Sequence, residues 1–369
     1  MTADMKYAVL IPVYQNNLDD LEKFDLENNI RKLWMYDIRL VMPQSLDFFL
    51  HIETDNIDII RFDDYYFKDF NSYSRLMMSD EFYQTFEKYE KILICQLDAY
   101  VFNDQMDYFC TLPYDYIGAP AFIRFHEDGK YELLPGNGGF SLRDVRSTLR
   151  LLRNHSRERN EWKGTEDMFF VSCAMKYPDE FCMAPVSIAA TFAFDRFVSV
   201  MYERTHKQLP FGIHAWHKYM PQLVCQTMTL KQRMFMERFL DMRSVEEVMR
   251  PFYDFLERNS TVILYGAGDW GKVIGRALQV LKKDIFCYVI SDGQARETKE
   301  IFGVPIYCWS DIGSLPQRIG VVISLAQRYL EVNEREKIHC NIREKGGDDI
   351  LDVDFRMFNF IAEIILRSG

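Results

Sequence analysis

The sequence has no C-x-x-C pair among its eight cysteines, no Cys/His group at zinc-finger spacing, no surplus of basic residues and no apolar run long enough to span a membrane. It also has no internal repeat and no low-complexity tract. Each absence excludes something. Without paired cysteines, a disulfide scaffold or a structural zinc site is ruled out, and Cys95, Cys110, Cys173, Cys182, Cys225, Cys287, Cys308 and Cys340 read as small hydrophobes of a reducing compartment. With 44 Lys and Arg against 55 Asp and Glu, the net charge is −11. Non-specific nucleic-acid binding needs a basic face and is therefore excluded. An anionic diphosphate ligand needs local positive charge or a metal. Residues 1–7 are mixed and polar, and the apolar run after them is broken at Pro12, so no signal peptide is expected. The expectation is a soluble cytoplasmic protein without a transmembrane segment.

What is present suits two domains. A chain of 369 residues with 48% hydrophobic residues has ample core material for both. The run Tyr7–Tyr14 predicts a buried first strand ending in a loop at Pro12. Further strands are predicted over 38–42, 57–62 and 92–98, with helices over 18–35, 82–91 and 145–153. Strands alternating with helices predict an α/β fold with a mixed, mostly parallel sheet flanked by helices. Residues 230–256 read as a continuous helix. After it a second α/β unit starts with the strand 261–265. The expected organisation is a domain over 1–228, a helical connector over 229–255 and a smaller domain over 256–369.

Three constellations carry chemistry in the first domain. The strand Ile92–Leu97 ends in Asp98, at the place where open α/β sheets bind ligands; a carboxylate there suits a divalent metal, a ribose hydroxyl or a turn. Glu166 and Asp167 stand together at a predicted helix start, where acids complement the dipole and where one acid can accept a proton from an attacking hydroxyl. The stretch Pro210–Tyr219 gathers His214, Trp216 and Lys218, side chains that suit metals, sugars and phosphates. Between them, Gly138 and Gly139 lie in the turn P-G-N-G-G, where backbone and ligand could approach closely.

The ordered set YSRLMMSDEFYQTFEKYEKILICQLDAYVF, YDYIGAP, GNGGFSLR, TEDMFF and PFGIHAWHKY is similar to a family of glycosyltransferase-like domains catalogued as of unknown function (DUF5672), over about residues 5–225. The strand ending in Asp98 also resembles the metal-binding strand of GT-A glycosyltransferases. The resemblance implies a GT-A-like fold and an enzyme that moves a sugar from a nucleotide-diphosphate donor to a hydroxyl acceptor, with inversion and surface polysaccharide as the expected setting. It implies Asp167 as base beside Glu166, Asp98 and His214 as metal ligands, and Tyr14, Arg75, Gly138, Gly139, Trp216 and Lys218 around the donor. One departure is plain: Tyr100 stands where such enzymes carry the second Asp of Asp-x-Asp. Magnesium or manganese would then rest on Asp98 and a later residue, or be dispensed with.

In the second domain, strand, G-x-G-x-x-G (Gly266, Gly268, Gly271) and helix follow in the order of a Rossmann-like unit, and Asp292 follows the next strand. NAD or another nucleotide is one expectation for this loop, and a purely structural role is the other. Trp270 inside the loop would crowd a pyrophosphate. Two further readings of the whole chain stand beside the transferase: a non-catalytic nucleotide-sugar-binding protein, and an NAD-dependent sugar-modifying enzyme acting through the second domain.

Overall fold

The computed structural model describes residues 6–48, 57–126, 128–293, 298–315, 319–325 and 332–368. Internal contacts divide the chain into two units, the first spanning Met1–Asp241 apart from Glu127–Gly129, the second Met242–Gly369.

The first unit is built on a six-stranded sheet of order β3-β2-β1-β4-β9-β6. Its strands are β1 (Tyr7–Pro12), β2 (Asp37–Pro43), β3 (Ile57–Phe62), β4 (Lys91–Cys95), β6 (Tyr116–Gly118) and β9 (Phe140–Asp144). The four strands β3-β2-β1-β4 run parallel, and β9 is antiparallel to both β4 and β6. β1 and β4 are near-continuous apolar runs, as strands covered on both faces must be. One core cluster packs Val9, Ile11 and Leu93 against Leu26 and Ile30; the other packs Leu10, Ile92 and Ile94 against Phe82, Leu149 and Phe170. Beside this sheet, β5 (Ala99–Val101), β10 (Ala193–Phe194) and β11 (Gly212–His214) form a three-stranded sheet of order β10-β11-β5, and β7 (Pro120–Phe125) pairs with β8 (Tyr131–Pro135).

This order fixes where a ligand would sit. The chain lays down β1, β2 and β3 to one side, then returns to place β4 on the other side of β1. Loops leaving the carboxyl ends of β1 and β4 therefore diverge, which opens a crevice between them.

The helix Asp20–Lys32 covers this corner. A capping box joining Asp19 and Glu22 starts it. Its buried face carries polar residues for a reason. Asn29 donates to the Ala99 carbonyl and accepts from the Val101 amide at 2.9 Å, and Asn28 donates to the Val101 carbonyl at 2.9 Å. The asparagines thus satisfy backbone groups of β5 and fix the turn at 96–98 that carries Asp98.

The second unit has a sheet of order β14-β15-β13-β12-β16-β17. Its strands are β12 (Thr261–Tyr265), β13 (Asp284–Ile290), β14 (Glu300–Ile301), β15 (Val304–Cys308), β16 (Ile319–Ile323) and β17 (Ile350–Asp352). All neighbours are parallel except β14, which is antiparallel to β15.

Two elements differ from expectation. The stretch 230–256 is two helices, Leu230–Met236 and Val245–Arg258. Each has its own capping box, Thr229 with Gln232 and Ser244 with Glu247, so the second start ends the periodicity that reads as continuous. The helix predicted over 82–91 runs instead over Asp80–Thr85, because Ser79 caps its start and Lys91 already belongs to β4.

Candidate functional site

A cavity of about 520 Å³ opens at the crevice between β1 and β4. Pro12 and Tyr14 line it from the end of β1, Gln96 and Asp98 from the end of β4, and His217 and Lys218 from the segment after β11. Asp25 and Tyr73 also line it.

Asp98 sits among positive groups. Its Oδ1 lies 3.1 Å from His214 Nε2 and its Oδ2 accepts from Lys218 Nζ at 3.3 Å. Burial pushes the Asp98 carboxyl up, but the charge and hydrogen bond of His214, with Lys218, outweigh it and hold the group well below the usual carboxylate range. The opposite happens at His214. Burial lowers it, but Asp98 and Asp195 raise the imidazole to about 10. Asp195 Oδ1 holds His214 Nδ1 at 2.9 Å, and Gln96 Oε1 lies 3.1 Å from Nε2. His217 is driven down to about 4 by burial and by the charges of Lys218 and His214, so a neutral imidazole lines the cavity.

The two adjacent glycines bind this cluster to the paired acids. A β-carbon on Gly138 would stand 2.4 Å from Glu166 Oε1, and one on Gly139 would stand 2.2 Å from His214 Nε2. Neighbouring residues thus touch Glu166 and His214, with a Cα separation of about 3.8 Å between them. Glu166 is buried and engaged: Ser74 Oγ donates to it at 3.0 Å and Arg143 lies 3.5 Å away. The Arg143 guanidinium is fully buried, bonded to Tyr83 and Ser141 and stacked over Tyr116 and Phe170. Asp167 is freer. Its carboxylate accepts from Thr165 Oγ1 and from the Met168 amide at the helix start. Burial, then the charge of Glu166, pushes Asp167 up to about 7.

Not every expected residue joins the cavity: Gly138, Gly139, Glu166, Asp167 and His214 are not among the residues that line it. Tyr14 does: its ring is 52% exposed and its hydroxyl donates to Glu22, while burial and Glu22 push the phenol up to about 12. Trp216 is fully buried, with Nε1 donating to Asp25 at 2.8 Å, so it braces the cavity floor instead of offering a sugar platform. Arg75 is exposed, whereas Ser72, Ser74 and Leu76 of the same helix are buried. Its guanidinium bonds Tyr65 in a separate groove with Asp80, Arg159 and Trp162. Tyr100 is buried, stacked on Phe24 and bonded to Thr227, away from the cavity lining.

Sequence reasoning missed Asp25, Asp195 and the buried Arg143. The signal for Asp25 was there: Asp25, Asn28 and Asn29 share one helix face with Leu26 and Ile30, an unusual place for polar side chains. Asp195 follows a strand only two residues long, which periodicity does not detect.

In the second unit the glycine loop follows β12 as expected. Gly266 has φ +122°, and a β-carbon on Gly271 would stand 2.1 Å from the Gly266 carbonyl oxygen. These two glycines serve the turn and the packing of the helix Asp269–Val280. Ser324, following β16, donates to the carbonyls of Tyr265 and Gly266 at 3.0 and 2.9 Å. Trp270 turns away from the loop and stacks on Phe358 at 4.0 Å. Asp292 accepts from the Ser310 amide at 2.9 Å.

Among the described residues no helix is long and apolar enough to cross a membrane, and none forms a group of three or more His, Cys, Asp or Glu around one metal position. No curated protein matches the chain. Similar solved structures include the apo form of the glycosyltransferase GlyE of Streptococcus pneumoniae TIGR4, 12% identical over 98% of this chain and 89% of that chain, with a TM-score of 0.37. An active-site mutant of LgtC is 14% identical over 66% of this chain and 99% of that one, with a TM-score of 0.38. The apo structure of WbbM, a bifunctional glycosyltransferase, is 12% identical over 64% of this chain and 52% of that one, with a TM-score of 0.37. Residues 56–214 match the model of a family described as "Protein of unknown function (DUF5672)". That matched segment carries Asp98, the Gly138-Gly139 turn, the paired acids and His214.

Proposed function

We propose that the first unit is a glycosyltransferase that moves a sugar from a nucleotide-diphosphate donor to a hydroxyl acceptor with inversion at the anomeric carbon. The observation that carries this reading is that Asp98 and Lys218 line a cavity at the β1/β4 switch point, with His214 paired to Asp98. The sequence motifs that resemble GT-A glycosyltransferases fall around the same place.

The chemistry assigned to each group follows from its surroundings. The nucleoside rests between Tyr14 and the β4 end, and the diphosphate lies toward Lys218, a compact point charge on an otherwise acidic chain. The donor set would hold a divalent cation once His214, raised to about 10 beside Asp98 and Asp195, gives up its Nε2 proton. Asp98 Oδ1 and Gln96 Oε1 each lie 3.1 Å from His214 Nε2, and Asp195 orients that ring from its other nitrogen. Magnesium or manganese commonly takes few protein ligands and completes its shell with phosphate oxygens and water. When bound there, such an ion supplies charge neutralisation of the leaving diphosphate.

Asp167 serves as the general base. The acceptor oxygen bonds to the anomeric carbon on the face opposite the diphosphate, the bond from that carbon to the diphosphate oxygen breaks, and Asp167 takes the hydroxyl proton. A carboxylate near pH 7 is suited to this exchange. Glu166, held by Ser74 and Arg143, positions the Gly138 turn and raises its neighbour. Surface polysaccharide is the acceptor setting we favour.

The test is radiolabelled transfer from a panel of nucleotide sugars with manganese, comparing the wild type with Asp98→Asn and Asp167→Asn. Transfer by the wild type and its loss in both folded variants supports the reading. Donor binding without turnover in the wild type favours a non-catalytic binding protein, which the tyrosine at position 100 also suits.

A further inference from the structure

Two helices begin beside the cavity, one on each face of the sheet. The helix Asp20–Lys32 puts Leu26 and Ile30 into the core cluster of Val9 and Ile11, whereas the helix Phe70–Met77 puts Leu76 and Met77 into that of Leu10 and Ile92. Successive residues of a strand point to opposite faces, so the crevice at the strand ends lies between the starts of these helices. Each start brings an exposed aromatic side chain to the lining. Tyr14, in the loop before the first helix, is 52% exposed, and Phe70, the first residue of the second, is 57% exposed; both line the cavity. Neither ring contacts another aromatic ring among the described residues. A single exposed apolar side chain is ordinary. Two large ones that reach one concave site from different faces of the sheet offer π surfaces to a ligand.

The supports of both residues are firm. The Tyr14 hydroxyl donates to Glu22 at 3.1 Å. The backbone carrying Phe70 is fixed by a capping box: Asp69 accepts from the Ser72 amide at 2.7 Å, and Ser72 Oγ accepts from the Asp69 amide at 3.0 Å. Charge decides which part of a donor meets the rings. Beside them the lining holds Asp19, Glu22 and Asp69 against Lys68, whereas Lys218 stands with Asp98. A diphosphate is repelled from the first group and held by Lys218. An uncharged planar ring pays no such penalty.

We propose that Tyr14 and Phe70 form an aromatic clamp that stacks on the nucleobase of the donor. The clamp rests on the nucleotide-sugar reading above, and it makes Phe70, which no sequence motif marked, a ligand-binding residue. Stacking uses the π face that every base has, so the clamp supplies affinity for whichever nucleotide the enzyme uses.

The experiment is calorimetric titration of the full chain with UDP, CDP, ADP, GDP and inorganic pyrophosphate in the presence of manganese, with melting temperatures of each protein. For the nucleotide that binds the wild type tightest, Phe70→Ala and Tyr14→Ala should each raise Kd at least about fivefold, the loss of one stacking contact. Phe70→Trp and Tyr14→Phe keep a ring and should stay within about twofold of wild type, and the added indole should be quenched by the nucleotide. Pyrophosphate has no base and should bind all five proteins alike. Phe70 is exposed, so its alanine variant should melt at the wild-type temperature. Unchanged nucleotide affinity in either alanine variant, or an equal loss of pyrophosphate affinity, overturns the clamp and leaves the transferase reading standing. A wild type that binds none of the four nucleotides overturns both.

Discussion

Gly139 and His214 are in such close contact that a β-carbon at position 139 would stand 2.2 Å from the imidazole Nε2. The same nitrogen faces Asp98 and Gln96. The histidine is therefore fixed from three sides: by Asp195 at Nδ1, by Asp98 and Gln96 at Nε2, and by the bare backbone of the glycine turn.

This contact makes Gly139→Ala a sharp test. The added methyl must push the imidazole off Asp98, since the glycine amide is itself tied to Asn137 at 3.0 Å. Overpacking of this kind costs about 1–3 kcal/mol. The expected result is a folded protein with transfer reduced at least about a hundredfold, because a group displaced by an ångström loses its alignment. Transfer and melting temperature measured side by side check it.

Asp167 sets the expected pH dependence. As base it must be ionised, and its carboxyl is raised to about 7. The kcat/KM for transfer should rise with pH and level off above about 7, and Asp167→Asn should abolish the residual activity without that limb. The stability effect has the opposite sign. The protonated form is favoured in the folded protein, so its contribution is fully present below pH 3.8, the ordinary value, and is lost as pH rises through about 7. Asp167→Asn should flatten that decline, which denaturation at a series of pH values measures.

Restoring the second Asp of Asp-x-Asp should fail. Tyr100 is 6% exposed, stacked on Phe24 at 5.9 Å, and edge-on to Trp216. Tyr100→Asp would leave a cavity and an unpaired carboxylate among aromatic rings. The expected cost is about 3 kcal/mol or more, read from chemical denaturation, with no gain in manganese affinity.

The parts of the architecture that were legible in the sequence are those set by local pattern. β1, β4 and β12 are unbroken apolar runs closed by proline, acid or glycine, and each appears where the pattern puts it. Asp98, Lys218 and Tyr14 were found because they stand at strand ends or in a dense polar motif. What stayed hidden depends on tertiary contact. Trp216 has the look of a sugar platform until its indole is seen donating to Asp25 in the core. Arg75 shares a helix with Tyr73 and Ser74, and only the helix's rotation decides which of them face the site. The break between the helices ending at Met236 and starting at Val245 rests on a second capping box inside a charged, periodic stretch.

The glycine loop of the second unit should not take up NADH. Ser324 already bonds the carbonyls of Tyr265 and Gly266, and Asp269, with its side chain almost fully exposed, puts a negative charge at the helix start where a pyrophosphate would rest. Fluorescence titration should show no saturable signal up to millimolar cofactor. Micromolar binding would revive the redox reading of this unit.

The central claim is that one cavity, with Asp98 at its edge, holds a nucleotide sugar for transfer. The most direct measurement is calorimetric binding of nucleotide sugars with manganese to the wild type and to Asp98→Asn. The account predicts saturable one-to-one binding of at least one donor by the wild type and a loss of about tenfold or more in the variant, the range set by removing one charged contact. Equal affinity in the two proteins would contradict it.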